Sequence, residues 1–309
     1  MDARTYARLR PRIAALTRER RAAWAMLAAV WAGLLLAGGG LGLYLLRLGG
    51  RPVHLLASLA AAGALAGWLT PTLLYPFKER FKRELVKPLL EGSLEAVAYA
   101  PLGSVSVLDL EGSLLFKTVP PDEVTGEDLV VARRGEVGIR FSELRAGGGL
   151  RRKPRLGGER LVYEAPVFQG LFFVADFNKP SPGIVVAYPE RWFLARPQIE
   201  LERVRMEDPR FERLFKVFAS DRIFAFYALS PAFMETLAAF ARGTGPVAFS
   251  IVYGKLYLAL AGGKNRLEPP LLGTLYSPRL YQGFLGEVEL FLKLVDDLRL
   301  NRRIWGQMS

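Results

Sequence analysis

The chain has 309 residues, with 42 Lys and Arg against 30 Asp and Glu for a net charge of +12, and a mean hydropathy of +0.18, high for a purely water-soluble protein. It holds no cysteine and one histidine, His54, which excludes disulfides, thiolate metal sites, cysteine nucleophiles and any histidine base away from the segment around His54. The apolar excess lies between Trp24 and Leu74, so that segment and the rest of the chain are read separately.

The first element is a basic lead, residues 1–23, with Arg4, Arg8, Arg10, Arg12, Arg18, Arg20 and Arg21. From Ala22 to Leu46 no residue is charged, and from Pro52 to Phe77 the one ionisable group is His54. Each run exceeds the roughly 20 residues that cross a bilayer core. The pattern predicts a transmembrane helical hairpin over 24–75, with a short glycine-containing turn at Arg47–Arg51. A cleaved signal peptide does not fit, because its apolar region is about 7–15 residues long and sits close to the N-terminus. After the second span come Lys78, Arg80, Lys82, Arg83 and Lys87, whereas the turn carries only Arg47 and Arg51. Positive flanks stay inside, so both termini are expected on the cytoplasmic side of a cell inner membrane. Gly38 and Gly42 are four apart, as are Gly63 and Gly67, a spacing that puts small residues on one helix face and makes these four the helix-packing candidates. No acid or base near the midplane marks an ion or proton path.

Phe77, Phe81, Leu85 and Leu89 recur every four residues between basic positions, which predicts a juxtamembrane amphipathic helix within 76–100, kinked or ended by Pro88. Its cations Lys78, Arg80, Lys82 and Arg83 are candidates for an anionic leaflet. A plain positive flank leading into the core accounts for the same residues.

Residues 101–309 read as a cytoplasmic α+β domain, a mixed and mainly antiparallel sheet with packed helices. Val137, Ile139 and Phe141 alternate as a half-buried strand, and Leu161–Phe177 gives a second extended region bent at Gly170; the two suit pairing as a long hairpin. Their connection carries Arg145, Arg151, Arg152, Lys153, Arg155 and Arg160 among glycines. This predicts a mobile cationic loop that either contacts an anionic surface or stays solvated. Asp176, Asn178 and Lys179 form a polar cluster of unassigned role next to an expected turn at Asn178–Gly183, followed by a strand at Ile184–Ala187. Asp208-Pro209 and Ser230-Pro231 each start a helix, the first with Phe211, Leu214, Phe215 and Phe218 inward, the second with Phe233, Leu237 and Phe240 inward and ending near Gly243. Val247–Val252 and Leu256–Leu260 flank Tyr253-Gly254-Lys255 as a hairpin. A last helix spans Phe284 to Asn301, with Val288, Phe291 and Val295 on its inner face. Gly262-Gly263-Lys264-Asn265 lacks the upstream glycine and the Ser or Thr of a phosphate loop, and reads as a hairpin end.

Several runs together resemble a known family. Phe168-Gln169-Gly170-Leu171-Phe172-Phe173-Val174-Ala175-Asp176-Phe177-Asn178-Lys179, Asp208-Pro209-Arg210-Phe211-Glu212 and Ala228-Leu229-Ser230-Pro231-Ala232-Phe233-Met234 are similar to the bacterial membrane family catalogued as domain of unknown function 3137. So are Gly126-Glu127-Asp128-Leu129, Phe141-Ser142-Glu143-Leu144 and Leu300-Asn301-Arg302-Arg303-Ile304-Trp305. The resemblance implies a bacterial inner-membrane protein and supplies neither activity nor catalytic residues; the glycine-rich stretch near Gly147 departs from the family pattern.

Three functions fit these features. The first is a non-catalytic binding or regulatory module held at the membrane, contacting a protein partner or anionic lipid, for which a net charge of +12 suits an acidic surface. The second is an enzyme on a membrane-associated substrate that uses carboxylate, Ser or Lys chemistry. The third is a structural subunit that forms a homo-oligomer through its glycine faces. No cofactor or metal is expected, and nucleic acid is disfavoured because much of the positive excess is membrane flank and no reading motif is present.

Overall fold

The computed structural model describes residues 3–116, 119–155, 158–164, 166–177, 180–189, 199–262, 268–270, 273–277 and 286–296, with the side chains of 3–6 and 149–163 outside that description. The chain forms two compact units, Met1–Pro88 with Glu268–Tyr281, and Leu89–Leu267 with Gln282–Ser309.

In the first unit, α1 (Ala3–Arg47) and α2 (Pro52–Phe81) pack as an antiparallel hairpin. Leu36, Leu56 and Trp68 are 76, 67 and 74% exposed, so the uncharged stretches present apolar surface outward, as lipid-facing helices do. Gly49, at φ +85°, ends α1 in the left-handed conformation that glycine adopts without strain. The lone histidine acts here structurally: His54 Nδ1 accepts the Arg51 N–H at 2.9 Å, satisfying a donor at the start of α2. A Cβ on Gly38 would lie 2.8 Å from the Ser58 carbonyl oxygen, and one on Gly42 would lie 2.7 Å from Leu55 Cα. These two glycines therefore let the hairpin helices approach closely, whereas Gly63 and Gly67 face open space. Trp31 Nε1 donates to Thr70 Oγ1 across the pair at 3.1 Å.

The basic lead is not a separate segment. It continues α1 as helix, and Leu9, Ile13 and Leu16 in it are buried, as are Phe77, Phe81 and Leu85 of the expected amphipathic stripe. That stripe is consumed by packing within the protein, since burying apolar surface against another helix removes it from any leaflet. Pro88 does not end the helix. A π-helical turn, Lys82–Val86, precedes α3 (Lys87–Glu91). The Glu84 carbonyl, which a helical residue 88 would bond if it had an N–H, accepts from Arg12 Nη1 at 3.4 Å instead. The expected helix to residue 100 stops short, because Glu95–Ala100 is strand β1.

The second unit is α+β. Its main sheet runs β1-β2-β3-β6-β11-β10-β7-β9-β8, with every pairing among the described residues antiparallel. The strands are β2 (Val124–Arg134), β3 (Val137–Ala146), β6 (Phe168–Asp176), β7 (Val185–Pro189), β8 (Glu202–Val204), β9 (Phe215–Ala219), β10 (Val247–Val252) and β11 (Lys255–Ala261). The long pairing expected from the sequence is β3 with β6, Ile139 facing Ala175 and Ala146 facing Phe168. The extended region expected over Leu161–Phe177, with its bend at Gly170, is instead broken around Pro166, and its first part lies in β5 (Gly158–Glu164), which pairs with β4 (Gly149–Arg155) in a separate two-stranded sheet. The helix begun at Asp208 lasts only from Pro209 to Leu214 as α5, because Phe215–Ala219 is drawn into the sheet beside β7; tertiary pairing outweighs the helical spacing of Phe215 and Phe218. Helices α6 (Arg222–Ala228), capped by Asp221, and α7 (Pro231–Thr244) follow, and residues 286–296 are helical.

One sheet face carries Phe141, Phe173 and Phe249, packed with Phe211, Phe215 and the closing helix, where Phe291 stacks on Phe173 at 4.3 Å. On the other, Phe172, Val174, Tyr188, Ala248, Tyr257 and Ala259 form a core with Val105, Leu110, Leu115 and Phe116 of a short strap containing α4 (Val107–Gly112). Gly38→Val and Gly42→Val should each lower the melting temperature of the detergent-solubilised chain, at an overpacking cost of about 1–3 kcal/mol. Gly63→Val should not, and an equal drop for Gly63→Val would refute the close-approach assignment.

Candidate functional site

The juxtamembrane cations hold the helical unit together. Lys78 Nζ lies 2.6 Å and Lys82 Nζ 3.3 Å from the two oxygens of Glu268, with Lys82 buried. Arg80 pairs with Glu19, and Arg83 with Glu79 at 2.7 Å. Arg20 donates to the carbonyls of Pro270 and Gly273 at 3.2 and 2.7 Å. The stretch around Glu268 thus joins the helical unit by charge, although in the chain it follows the sheet. All four cations proposed for a leaflet have a carboxylate partner within the chain, which leaves less of their charge for lipid.

An ionic cluster among the described residues of the sheet unit lies where the strap crosses β3 and β11. Ser106 caps α4 by accepting the Asp109 N–H at 3.1 Å, and Asp109, placed inward by that cap, is 7% exposed. Asp109 Oδ1 receives Arg140 Nη2 at 3.1 Å and Lys255 Nζ at 3.2 Å, while Oδ2 receives Ser106 Oγ at 3.0 Å. Beside it a cavity of about 500 Å³ is lined by Arg133, Glu136, Arg140, Asp176 and Lys255 among others. Asp176 Oδ2 accepts the Gly138 N–H at 3.0 Å, which ties β6 to the start of β3. With Asp109, three carboxylates meet three cations, so the chemistry is that of an anchor joining strap to sheet. Asn178 and Lys179, expected beside Asp176, lie outside the described residues. Burial, reinforced by the Asp109 charge and opposed by Arg140, pushes the Tyr257 phenol up to about 12; burial alone also raises Tyr188.

A second cavity, about 450 Å³, is lined by Glu127, Glu143, Arg145 and Gln169 with Gly126 and Gly170. It lies next to a bulge in the β2–β3 ladder between Glu127 and Val130. Asp128 there has φ +62°, which Asp tolerates better than most residues, and is buried, accepting the Tyr99 hydroxyl while its N–H bonds the Pro101 carbonyl at 3.0 Å. Ser142, on the opposing strand, accepts the Val105 N–H at 2.9 Å. The runs Gly126–Leu129 and Phe141–Leu144 are thus the two sides of one bulge. Nothing in the sequence alone pairs them.

Among the remaining expected cations, Arg145 belongs to β3, and Arg151, Arg152, Lys153 and Arg155 to β4. The predicted loop is therefore a strand hairpin, closed by seven register pairs from Gly149 with Glu164 to Arg155 with Gly158.

Asp109→Ala should destabilise the chain by about 2–3 kcal/mol, because it strands two cations beside a buried site. Lys255→Met, with its side chain 39% exposed, should cost less than about 1 kcal/mol. Thermal melts read both, and equal effects would argue against Asp109 as the hub. The raised Tyr257 pKa adds stability that is present in full below the ordinary phenol value of about 10 and is lost as pH rises to about 12. Tyr257→Phe should flatten that alkaline fall in melting temperature, and an unchanged slope would contradict it.

No curated protein sequence matches the chain. Among solved structures it is similar to the crystal structure of the mycobacterial trehalose monomycolate transport factor A, TtfA, with a TM-score of 0.38 and 12% identity over 68% of this chain and 91% of that one. Residues 166–300, a stretch that begins just before β6, match the family described as Protein of unknown function (DUF3137).

Proposed function

We propose that the chain is a two-span anchor in a bacterial inner membrane whose sheet domain, with both termini, lies in the cytoplasm and works as a binding or regulatory module without turnover, contacting a protein partner or anionic lipid. The observation that carries the anchoring is the hairpin surface, where Leu36, Leu56 and Trp68 stand exposed on helices that carry no charge across a membrane-length run. Orientation follows from the cations on the outer flanks against Arg47 and Arg51 alone in the turn. The module reading is supported by the ionic cluster at Asp109, whose charges are balanced and engaged in joining strap to sheet.

Membrane fractionation and C-terminal reporter fusions test this. The chain should resist extraction by alkaline carbonate, and a reporter active only outside the cytoplasm should stay silent at the C-terminus. Recovery in the aqueous supernatant, or an active external reporter, would overturn the topology. Photo-crosslinkers on the exposed sheet-domain surface should yield a defined protein or lipid adduct. Turnover of a membrane lipid by the purified chain, lost on substitution of Asp176, would replace the module with an enzyme.

A further inference from the structure

The basic end of the helical hairpin carries two arginines that the fold does not use. Trp31 meets Thr70 and Glu19 meets Arg80 across α1 and α2, so by the same register Trp24 lies level with Tyr75. Both rings are exposed, by 37 and 41%, and exposed Trp and Tyr rings gather where hydrocarbon meets headgroups. Arg21 and Arg47 bracket the uncharged run of α1. At 1.5 Å per residue they stand about 39 Å apart, which matches a hydrocarbon core of about 30 Å with the nearest part of the headgroup layer on each side. Arg21 therefore sits at the depth of lipid phosphate, and Arg18 lies one turn further from the bilayer. Helical spacing sets the two on one face, which Ala25, Ala28 and Ala32 continue into the span, and all five residues are exposed. The neighbouring cations are already engaged: Lys78 and Lys82 with Glu268, Arg80 with Glu19, Arg83 with Glu79, and Arg20 with two carbonyls. Among the described residues, Arg18 and Arg21 have neither a carboxylate nor a hydrogen-bond partner.

We infer that Arg18 and Arg21 form a headgroup site for an anionic phospholipid, whose phosphate the two guanidiniums hold while Trp24 fixes the depth of the helix. This deepens the proposed function by naming the lipid contact, and it rests on the anchored reading. A guanidinium presents paired N–H donors that fit phosphate oxygens, and at the edge of the hydrocarbon that attraction is screened less than in open water. The other occupant for such a face is a second copy of the chain. A two-fold contact between copies in one membrane would set Arg21 against Arg21 and Arg18 against Arg18, with no acid in the stripe to separate them. An anionic lipid brings the missing charge.

Native mass spectrometry of the full-length, delipidated chain, titrated with phosphatidylglycerol or phosphatidylcholine, tests this. An arginine at the bilayer surface contributes about fivefold in affinity for an anionic lipid. The first phosphatidylglycerol should therefore bind more than about tenfold tighter than the first phosphatidylcholine. Arg18→Gln and Arg21→Gln should each lose about fivefold of that preference, and the double substitution should abolish it. Arg10→Gln, exposed on α1 but about 16 Å further along the helix than Arg21, should change nothing. Equal binding of the two lipids by the unsubstituted chain overturns the site, as does a preference that survives the double substitution, which would put the lipid elsewhere. A dimer that forms without phosphatidylglycerol and excludes it also overturns the site, and gives the face to a second copy. Flotation of the same chain with phosphatidylcholine vesicles separates the site from the anchor. A chain that floats without preferring phosphatidylglycerol loses only the lipid site, whereas a chain that does not float loses the anchor.

Discussion

Burial of the central strands on both faces is the constraint on which the sheet unit depends. Phe172 and Phe173 are neighbours on β6 with their side chains on opposite faces, and neither is exposed to any extent, so each face of the sheet needs a cover. Helices cover one of them and satisfy their own backbone as they do so. The other is covered by a strap with barely one and a half turns of helix, and an irregular cover leaves polar backbone groups facing an apolar surface. The sheet supplies their partners. Ser142 accepts the Val105 N–H, Ser250 donates to the Ser113 carbonyl, and Tyr188 donates to the carbonyls of Leu114 and Leu115. Asp109 adds the ionic tie through Arg140 and Lys255. Polar residues in the middle of strands here hold a strap down, and their burial carries little cost because each is bonded.

The same accounting governs the helical unit. Proline at 88 frees a carbonyl and Arg12 meets it, while the stretch around Glu268 neutralises Lys78 and Lys82 and lends carbonyls to Arg20. Of the cations that look like a membrane flank, Arg12, Arg20, Lys78, Arg80, Lys82 and Arg83 are structural partners within the unit. The five runs similar to the DUF3137 family that lie in the sheet or at helix starts, among them the β2–β3 bulge and the Asp208 cap, are likewise architectural: they fix bulges, strand centres and helix starts. An account of function built on them alone would mistake scaffold for site.

Much was legible in the sequence wherever a local rule dominates. The uncharged runs determined the two long helices, each long and apolar enough to cross a bilayer core; the Asp208 side-chain cap and the prolines at 209 and 231 determined helix starts, and Tyr253-Gly254 the turn joining β10 to β11, because capping, proline and turn chemistry act over a few residues. Alternation at Val137–Phe141 determined a strand for the same reason. Tertiary structure decided what depends on partners distant in the chain: that Phe215–Ala219 is strand and not helix, that the apolar stripe from Phe77 packs inward, that Glu268 returns to Lys78 and Lys82, and that a glycine- and arginine-rich connection pairs with itself as a ribbon. Periodicity states which face of a segment is apolar. What covers that face is settled only when the chain closes on itself, since burial is a property of the neighbour as much as of the residue.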